Sequence, residues 1–164
     1  MTASHIDLFT VNDNGQFQPA SAKQIIETAL AILDEKMVRN GKISAPNDAG
    51  AYFSLRLGNL EHEVFAAIFL DAQNRVIEYI ELFRGTLSQA SVYPREVVKA
   101  SLRLNAAAII FAHNHPSGVP EPSRADEILT KALKDALALV DVSVLDHIVV
   151  AGGASVSFAQ RGLL

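Results

Sequence analysis

His113 and His115 stand two residues apart in the run His113-Asn114-His115-Pro116-Ser117-Gly118, and Ser123 and Asp126 follow at short range. Two imidazoles and a carboxylate are a donor set that suits a borderline divalent cation. The residues before them, Ala106 to Ala112, are small and apolar and read as a buried strand that delivers the histidines to its tip. Alternate side chains of a strand share a face, so His113 and His115 project together, with α-carbons about 6 to 7 Å apart, while Asn114 points the other way. A third ligand has to come from another element, because the next inward position of the same strand lies too far along it. Asp126 supplies it. Ser123-Arg124-Ala125-Asp126 opens a helical pattern in which Ala125, Ile128, Leu129, Ala132, Leu133, Ala136, Leu137 and Val140 recur at three- and four-residue steps. Two histidines, an aspartate and a water complete a tetrahedral zinc shell with one exchangeable position, as in catalytic sites; closed structural sites use four protein ligands. The chemistry implied is hydrolysis. The same spacing has a second use, since Ser123 and Asp126 also make a capping box. On spacing alone capping is the commoner role, and the hydroxyl can serve both in different states.

The rest of the chain has to position these groups. Residues 1 to 20 read as an irregular polar lead. Ser21 to Gln24 resembles a capping box, opening a helix whose Ile25, Ile26, Ala29, Leu30, Leu33 and Met37 face inward and which stops at Asn40-Gly41. Ser44 to Asp48 starts a shorter helix through about Leu57, with Pro46 in its first turn and Gly58 beyond its end. Glu63 to Leu70 and Val76 to Phe83 read as a strand hairpin, and Pro94 begins a helix through about Leu104. After the long helix come strands near Val142 to Asp146, Ile148 to Val150 and Ser155 to Phe158, with Gly152-Gly153 as a turn. Helices and strands interleave without strict alternation, which favours an α/β sandwich with a mixed sheet. There is no internal repeat or low-complexity tract.

At this point the sequence resembles a known family. His113 to Gly118, then Val119-Pro120-Glu121-Pro122-Ser123-Arg124-Ala125-Asp126, is similar to the JAMM metal motif of MPN-domain metallopeptidases in the form carried by bacterial RadC-like proteins. Val92 to Val98, Phe83 to Thr86, Phe69 to Asp71, Leu145 to His147 and Ser157 to Leu164 are also similar to RadC-family sequence. The resemblance covers residues 45–164, leaving 1–44 as an N-terminal extension with one helix. It lacks the helix-hairpin-helix region of the full-length pattern and so looks like the short form. It implies an MPN (JAB/JAMM) fold with a mixed β-sheet flanked by helices, a cytidine-deaminase-like layered architecture. It also implies zinc held by His113, His115 and Asp126, with Ser123 steadying the oxyanion and an upstream glutamate acting as general base. Glu63 matches that glutamate, and Glu61 competes with it two residues earlier on the same face. The resemblance implies a metallopeptidase or isopeptidase acting on a protein or peptide, and the family label carries a link to DNA repair; the alternatives are a DNA-processing or DNA-binding factor and an inactive MPN scaffold for protein partners.

Composition limits the alternatives. At 164 residues, 49% hydrophobic and 20% charged, the chain is large and apolar enough for one domain with a real core. It has no cysteine, which removes disulfides and thiolate ligands and agrees with a reducing cytoplasm. No stretch reaches the roughly 20 apolar residues of a membrane span, and the polar start lacks signal-peptide character. The expectation is a cytoplasmic protein. The formal net charge of −4 gives no basic face of the kind that drives nucleic-acid binding. Arg84, Arg95, Lys99 and Arg103 are the local exception, so nucleic acid is the minor expectation for a partner. His147 reads as a hydrogen-bonded strand histidine, or else as a support for the ligands. His5 and His62 have no partner pattern, and Ser117 has no base beside it.

Overall fold

Apolar runs build the centre of the protein. In the computed structural model, which describes residues 8–40, 46–85 and 92–164, the chain runs β1 (Phe9–Val11), β2 (Phe17–Pro19), α1 (Ala22–Asn40), α2 (Pro46–Leu57), β3 (Val64–Leu70), β4 (Val76–Arg84), α3 (Pro94–Arg103), β5 (Ala108–Asn114), α4 (Arg124–Ala138), β6 (Ser143–Ala151), β7 (Ala154–Ser157) and α5 (Phe158–Arg161). The main sheet has the order β4-β3-β5-β6-β7. Only β5 and β6 pair in parallel, so the sheet is mixed and helices flank it, as the sequence implies.

Every residue of β3 and of β5 is buried, as expected of central strands covered on both faces. Val64, Ala66, Ile68 and Leu70 pack with Ala108, Ile110 and Ala112 against Tyr52, Phe53 and Leu57 of α2, where Leu33 of α1 also docks. Phe65, Ala67 and Phe69 turn the other way and, with Ile109 and Phe111, meet Val97 of α3 and Leu133 and Leu137 of α4. The period-2 alternation thus divides one strand between two cores. The α3/α4 face is the one that continues to His113.

A bulge in β6 has a further effect. Ile109 pairs with Val144 but Ile110 pairs with Asp146, so Leu145 is an extra residue in the ladder. In a regular strand Val144 and His147, three positions apart, would point to opposite faces. The bulge restores them to one face. Val144 joins the α3/α4 core, and the His147 ring lies against Phe65 and Phe111 of that core.

Several expectations change. The lead is not irregular throughout: Phe9–Val11 and Phe17–Pro19 form an antiparallel hairpin. Asn12 Oδ1 accepts from the amides of Asn14 and Gln16, and Gly15 takes φ 77° at the turn. The two strands expected around His147 are one continuous β6. Ile25 of α1 is exposed, and on α4 Ala125, Ile128 and Ala132 face solvent while Thr130 is buried with Leu133 and Leu137. The sequence pattern gave that helix too wide an apolar stripe. The capping box at Ser21 and Gln24 is formed. The helix start at Ser44-Ala45, the stop at Gly41, and Thr86 and His5 lie outside the described residues. At the end of α2, a Cβ on Gly58 would stand 2.4 Å from the Gly152 carbonyl oxygen and 2.5 Å from that of Ser54. Only glycine permits this approach of α2 to the β6–β7 turn.

Candidate metal centre

His113 and His115 occupy and extend the end of β5. His113 is part of the strand, and the His115 amide continues the parallel ladder by donating to the Val150 carbonyl at 2.7 Å. Both imidazoles therefore fall on the α3/α4 face, and their Nε2 atoms approach to 3.0 Å. Asn114 points to the opposite face, as alternation requires. Its Oδ1 accepts from the Val64 amide at 2.8 Å, and its Nδ2 donates to the carbonyls of Leu60 and His62. The residue between the histidines fastens the loop that leads into β3.

Asp126 arrives from α4. Ser123 is the N-cap, and both halves of the capping box are present. The Ser123 amide and hydroxyl each donate to Asp126 Oδ2 at 2.7 Å. This pins one carboxylate oxygen in the first helical turn, where the free amides also favour negative charge. Asp126 Oδ1 lies 3.4 Å from His113 Nε2, and Oδ2 lies 3.7 Å from His115 Nε2. A tetrahedral shell with bonds of about 2.0–2.1 Å has edges of about 3.3 Å. The His113 Nε2–His115 Nε2 and His113 Nε2–Asp126 Oδ1 separations, 3.0 and 3.4 Å, match that edge, while the 3.7 Å approach to His115 is made by the other carboxylate oxygen. The three residues form a group able to hold a metal ion. His113 is almost wholly buried, whereas His115 and Asp126 keep about a fifth and a seventh of their side-chain surface open to solvent. Such a centre is shielded on one side and reachable from the other.

Each histidine has its other nitrogen occupied. His115 Nδ1 lies 2.9 Å from the Val119 carbonyl, an acceptor that fixes the His115 proton on Nδ1. Gly118, at φ 82°, turns the chain so that this carbonyl comes round. His113 Nδ1 lies 2.8 Å from His147 Nε2, and His147 Nδ1 lies 2.6 Å from Thr130 Oγ1. His147 is fully buried and packed by Phe158 as well as Phe65 and Phe111. It is therefore the hydrogen-bonded strand histidine of the first of the two sequence readings, and its partner is the candidate ligand His113. Thr130 carried no sequence signal except its place four residues after Asp126 and three before Leu133.

Charge follows the same geometry. Burial opposes the Asp126 carboxylate, but the neighbouring His113 and His115 imidazoles outweigh it and hold its pKa far below the usual range. His115 is raised above the ordinary histidine value, first by its hydrogen bond to Asp126 and in smaller part by the negative charge of Glu63. His147 is driven well below that value by burial and then by its neighbour His113. Glu63 precedes β3. Phe65 pairs with His113 across the sheet, so continuing the register sets Glu63 opposite His115 and on the same face. Glu63 is half-buried, whereas Glu61 is exposed. Ser117 is also exposed. A cleft of about 380 Å³ along α4, lined by Arg124, Lys131 and Leu163 among others, reaches Thr130 but includes none of the three candidate ligands.

The comparisons with known proteins agree with this architecture. The RadC-like JAB domain family matches residues 43–163. A UPF0758 protein of Methylibium petroleiphilum is 56% identical over 158 residues, covering 96% of this chain and 71% of that protein. One from Leptothrix cholodnii is 53% identical over 164 residues, covering 100% of this chain and 74% of the relative. A third, from Vibrio cholerae, is 55% identical over 147 residues, covering 90% and 92% respectively. The chain belongs to the RadC-like JAB domain family.

Proposed function

We propose that this protein is a zinc-dependent hydrolase of the JAMM metallopeptidase type, cleaving an amide bond in a protein or peptide. The observation that carries the reading is the convergence of His113, His115 and the Asp126 carboxylate, one ligand atom from each within 4.8 Å of the others, with a solvent-open side. The donor set of two imidazoles and one carboxylate suits zinc. When bound, the ion supplies Lewis acidity and lowers the pKa of a water toward about 7.

The chain's own residues do the rest. Glu63, on the same face and electrostatically coupled to His115, takes the proton of the attacking water and passes it to the leaving nitrogen. Ser123 donates to the developing oxyanion. Its backbone amide also holds Asp126 Oδ2, so the hydroxyl can swing away without releasing the carboxylate. Losing one such donor costs about 3–4 kcal/mol of barrier stabilisation. For nucleic acid the support is weaker, because Arg84 is paired with Glu81 and Lys99 with Glu96.

The test is to purify the protein without a histidine tag, determine its metal content, and expose it to a proteome-derived peptide mixture read by mass spectrometry. We expect about one zinc per chain, and new peptide termini that vanish in Glu63→Gln while its metal content is unchanged. A metal-loaded protein that produces no cleavage in any amide substrate, or a Glu63→Gln protein that cleaves normally, would overturn the reading.

A further inference from the structure

The candidate ligands account for three of the polar groups at this end of the sheet, but Thr130 and His147 are buried there as well and touch no open surface of the centre. We propose that Thr130 and His147 are positioning residues which fix the proton of His113 on Nδ1, and so present its Nε2 lone pair to the ion. This rests on the metal reading above.

Counting hydrogens fixes the direction of each contact. Thr130 Oγ1 lies 2.6 Å from the Asp126 backbone carbonyl, which can only accept. A hydroxyl has one hydrogen, so that contact uses it, and Oγ1 must then accept from His147 Nδ1. His147 consequently carries its proton on Nδ1 and offers Nε2 as an acceptor. The partner of that acceptor is His113 Nδ1, which must donate. His113 Nε2 is left without hydrogen, facing His115 Nε2 and Asp126 Oδ1. Every step is dictated by a carbonyl at the far end of the chain of contacts. That carbonyl belongs to Asp126, whose side chain closes the circuit at the centre.

A packing role alone does not explain the composition. His147 sits among Phe65, Phe111 and Phe158, where an apolar ring would avoid the cost of burying a polar one. The β6 bulge is what turns it toward His113. Thr130 likewise occupies a position of α4 between Asp126 and Leu133 where an apolar residue would fill the same space. Orientation of a ligating histidine through its second nitrogen is a general device, and losing such a partner typically costs about 10- to 100-fold in metal affinity.

The experiment uses Thr130→Val, which keeps shape and removes the hydroxyl, and Thr130→Ser, which keeps the hydroxyl. His147→Phe is a third variant, with thermal melts to confirm folding. The first readout is the imidazole ¹⁵N spectrum of the metal-free proteins. Wild type and Thr130→Ser are expected to show His113 protonated on Nδ1, and Thr130→Val to show loss of that preference. The second readout is Zn²⁺ and Co²⁺ affinity, expected to fall about 10- to 100-fold in Thr130→Val and to be restored in Thr130→Ser. Wild-type His113 protonated on Nε2 would overturn the proposal, as would wild-type affinity in both Thr130→Val and His147→Phe. Either result would leave the hydrolase reading standing, provided wild type binds one metal ion. Absence of metal binding by wild type would instead sink that reading, and the metal-free spectrum would still decide the tautomer.

Discussion

The carboxylate of Asp126 and the imidazole of His115 are electrostatically tied, and this fixes how acid should act on the centre. Their contact, with a smaller contribution from Glu63, raises the His115 pKa above its ordinary 6.5, while the Asp126 pKa stays far below the usual range. A protonated imidazole cannot ligate, so protons and metal compete for His115 while Asp126 remains ionised. Metal affinity should therefore decline as pH falls through the raised His115 value, beginning above pH 6.5. Calorimetric titration with Zn²⁺ between about pH 5 and 8 measures this, and a flat profile would count against His115 as a ligand. In the metal-free protein the sign reverses for stability. The charged His115–Asp126 pair is stabilising below the unfolded histidine value and is lost as pH rises through the raised one. His147, lowered by burial, opposes it by favouring the folded state above the unfolded value and losing that contribution as pH falls below it.

At the scale of elements, the tip of β5 addresses both faces of the sheet at once. His113 and His115 serve the centre, and Asn114 ties the turn before β3 that carries Glu63. Replacing Asn114 by Ala removes the partner of the buried Val64 amide, a loss of about 1–3 kcal/mol, or several degrees in melting midpoint at this size. Because Glu63 immediately precedes that strand, turnover should fall further than stability explains, while zinc stoichiometry is retained; melts, metal analysis and peptide cleavage on one preparation separate the effects. The strand, its two histidines and the helix with Asp126 were legible in the sequence because spacing and apolar period both act locally. His147 was legible only as one of two alternatives, and Thr130 was not legible at all. The Leu145 bulge sets His147 on the same face as Val144, where plain alternation would have put the two on opposite faces. A threonine within an amphipathic helix reads as surface until its partner on another strand is known. The β1–β2 hairpin was missed despite a usable signal, Asn12-Asp13-Asn14-Gly15 between two short runs containing phenylalanine. Those strands are only three residues each, below the length at which periodicity can be counted.

For the whole molecule, the centre joins parts that are far apart in sequence: β5, α4 and β6 meet there, with β3 at the entrance. An ion that binds the folded chain and not the unfolded one adds about 2.7 kcal/mol of stability at 100 times its dissociation constant. For a domain of this size that is a rise of about 5–10 °C in midpoint. Thermal scans with added Zn²⁺ and with EDTA should differ by that amount, and identical scans would mean that the three side chains do not hold metal. No helix among the described residues is long and apolar enough to cross a membrane. Phe9 and Phe17 of the hairpin are 57% and 79% exposed, which leaves the main sheet and its helices, rather than the hairpin, as the source of the apolar core.

Asp146 extends that dependence to the last elements. Its Oδ1 accepts from the amides of His147 and Ala159, its Oδ2 accepts from the Ser157 hydroxyl, and Phe158 lies against the His147 ring. During synthesis, therefore, a nascent chain already displaying residues 113, 115 and 126 would still lack the backing that seats His147. The seat of His147, and with it the contact to His113, is complete only once residues 157 to 159 have been made.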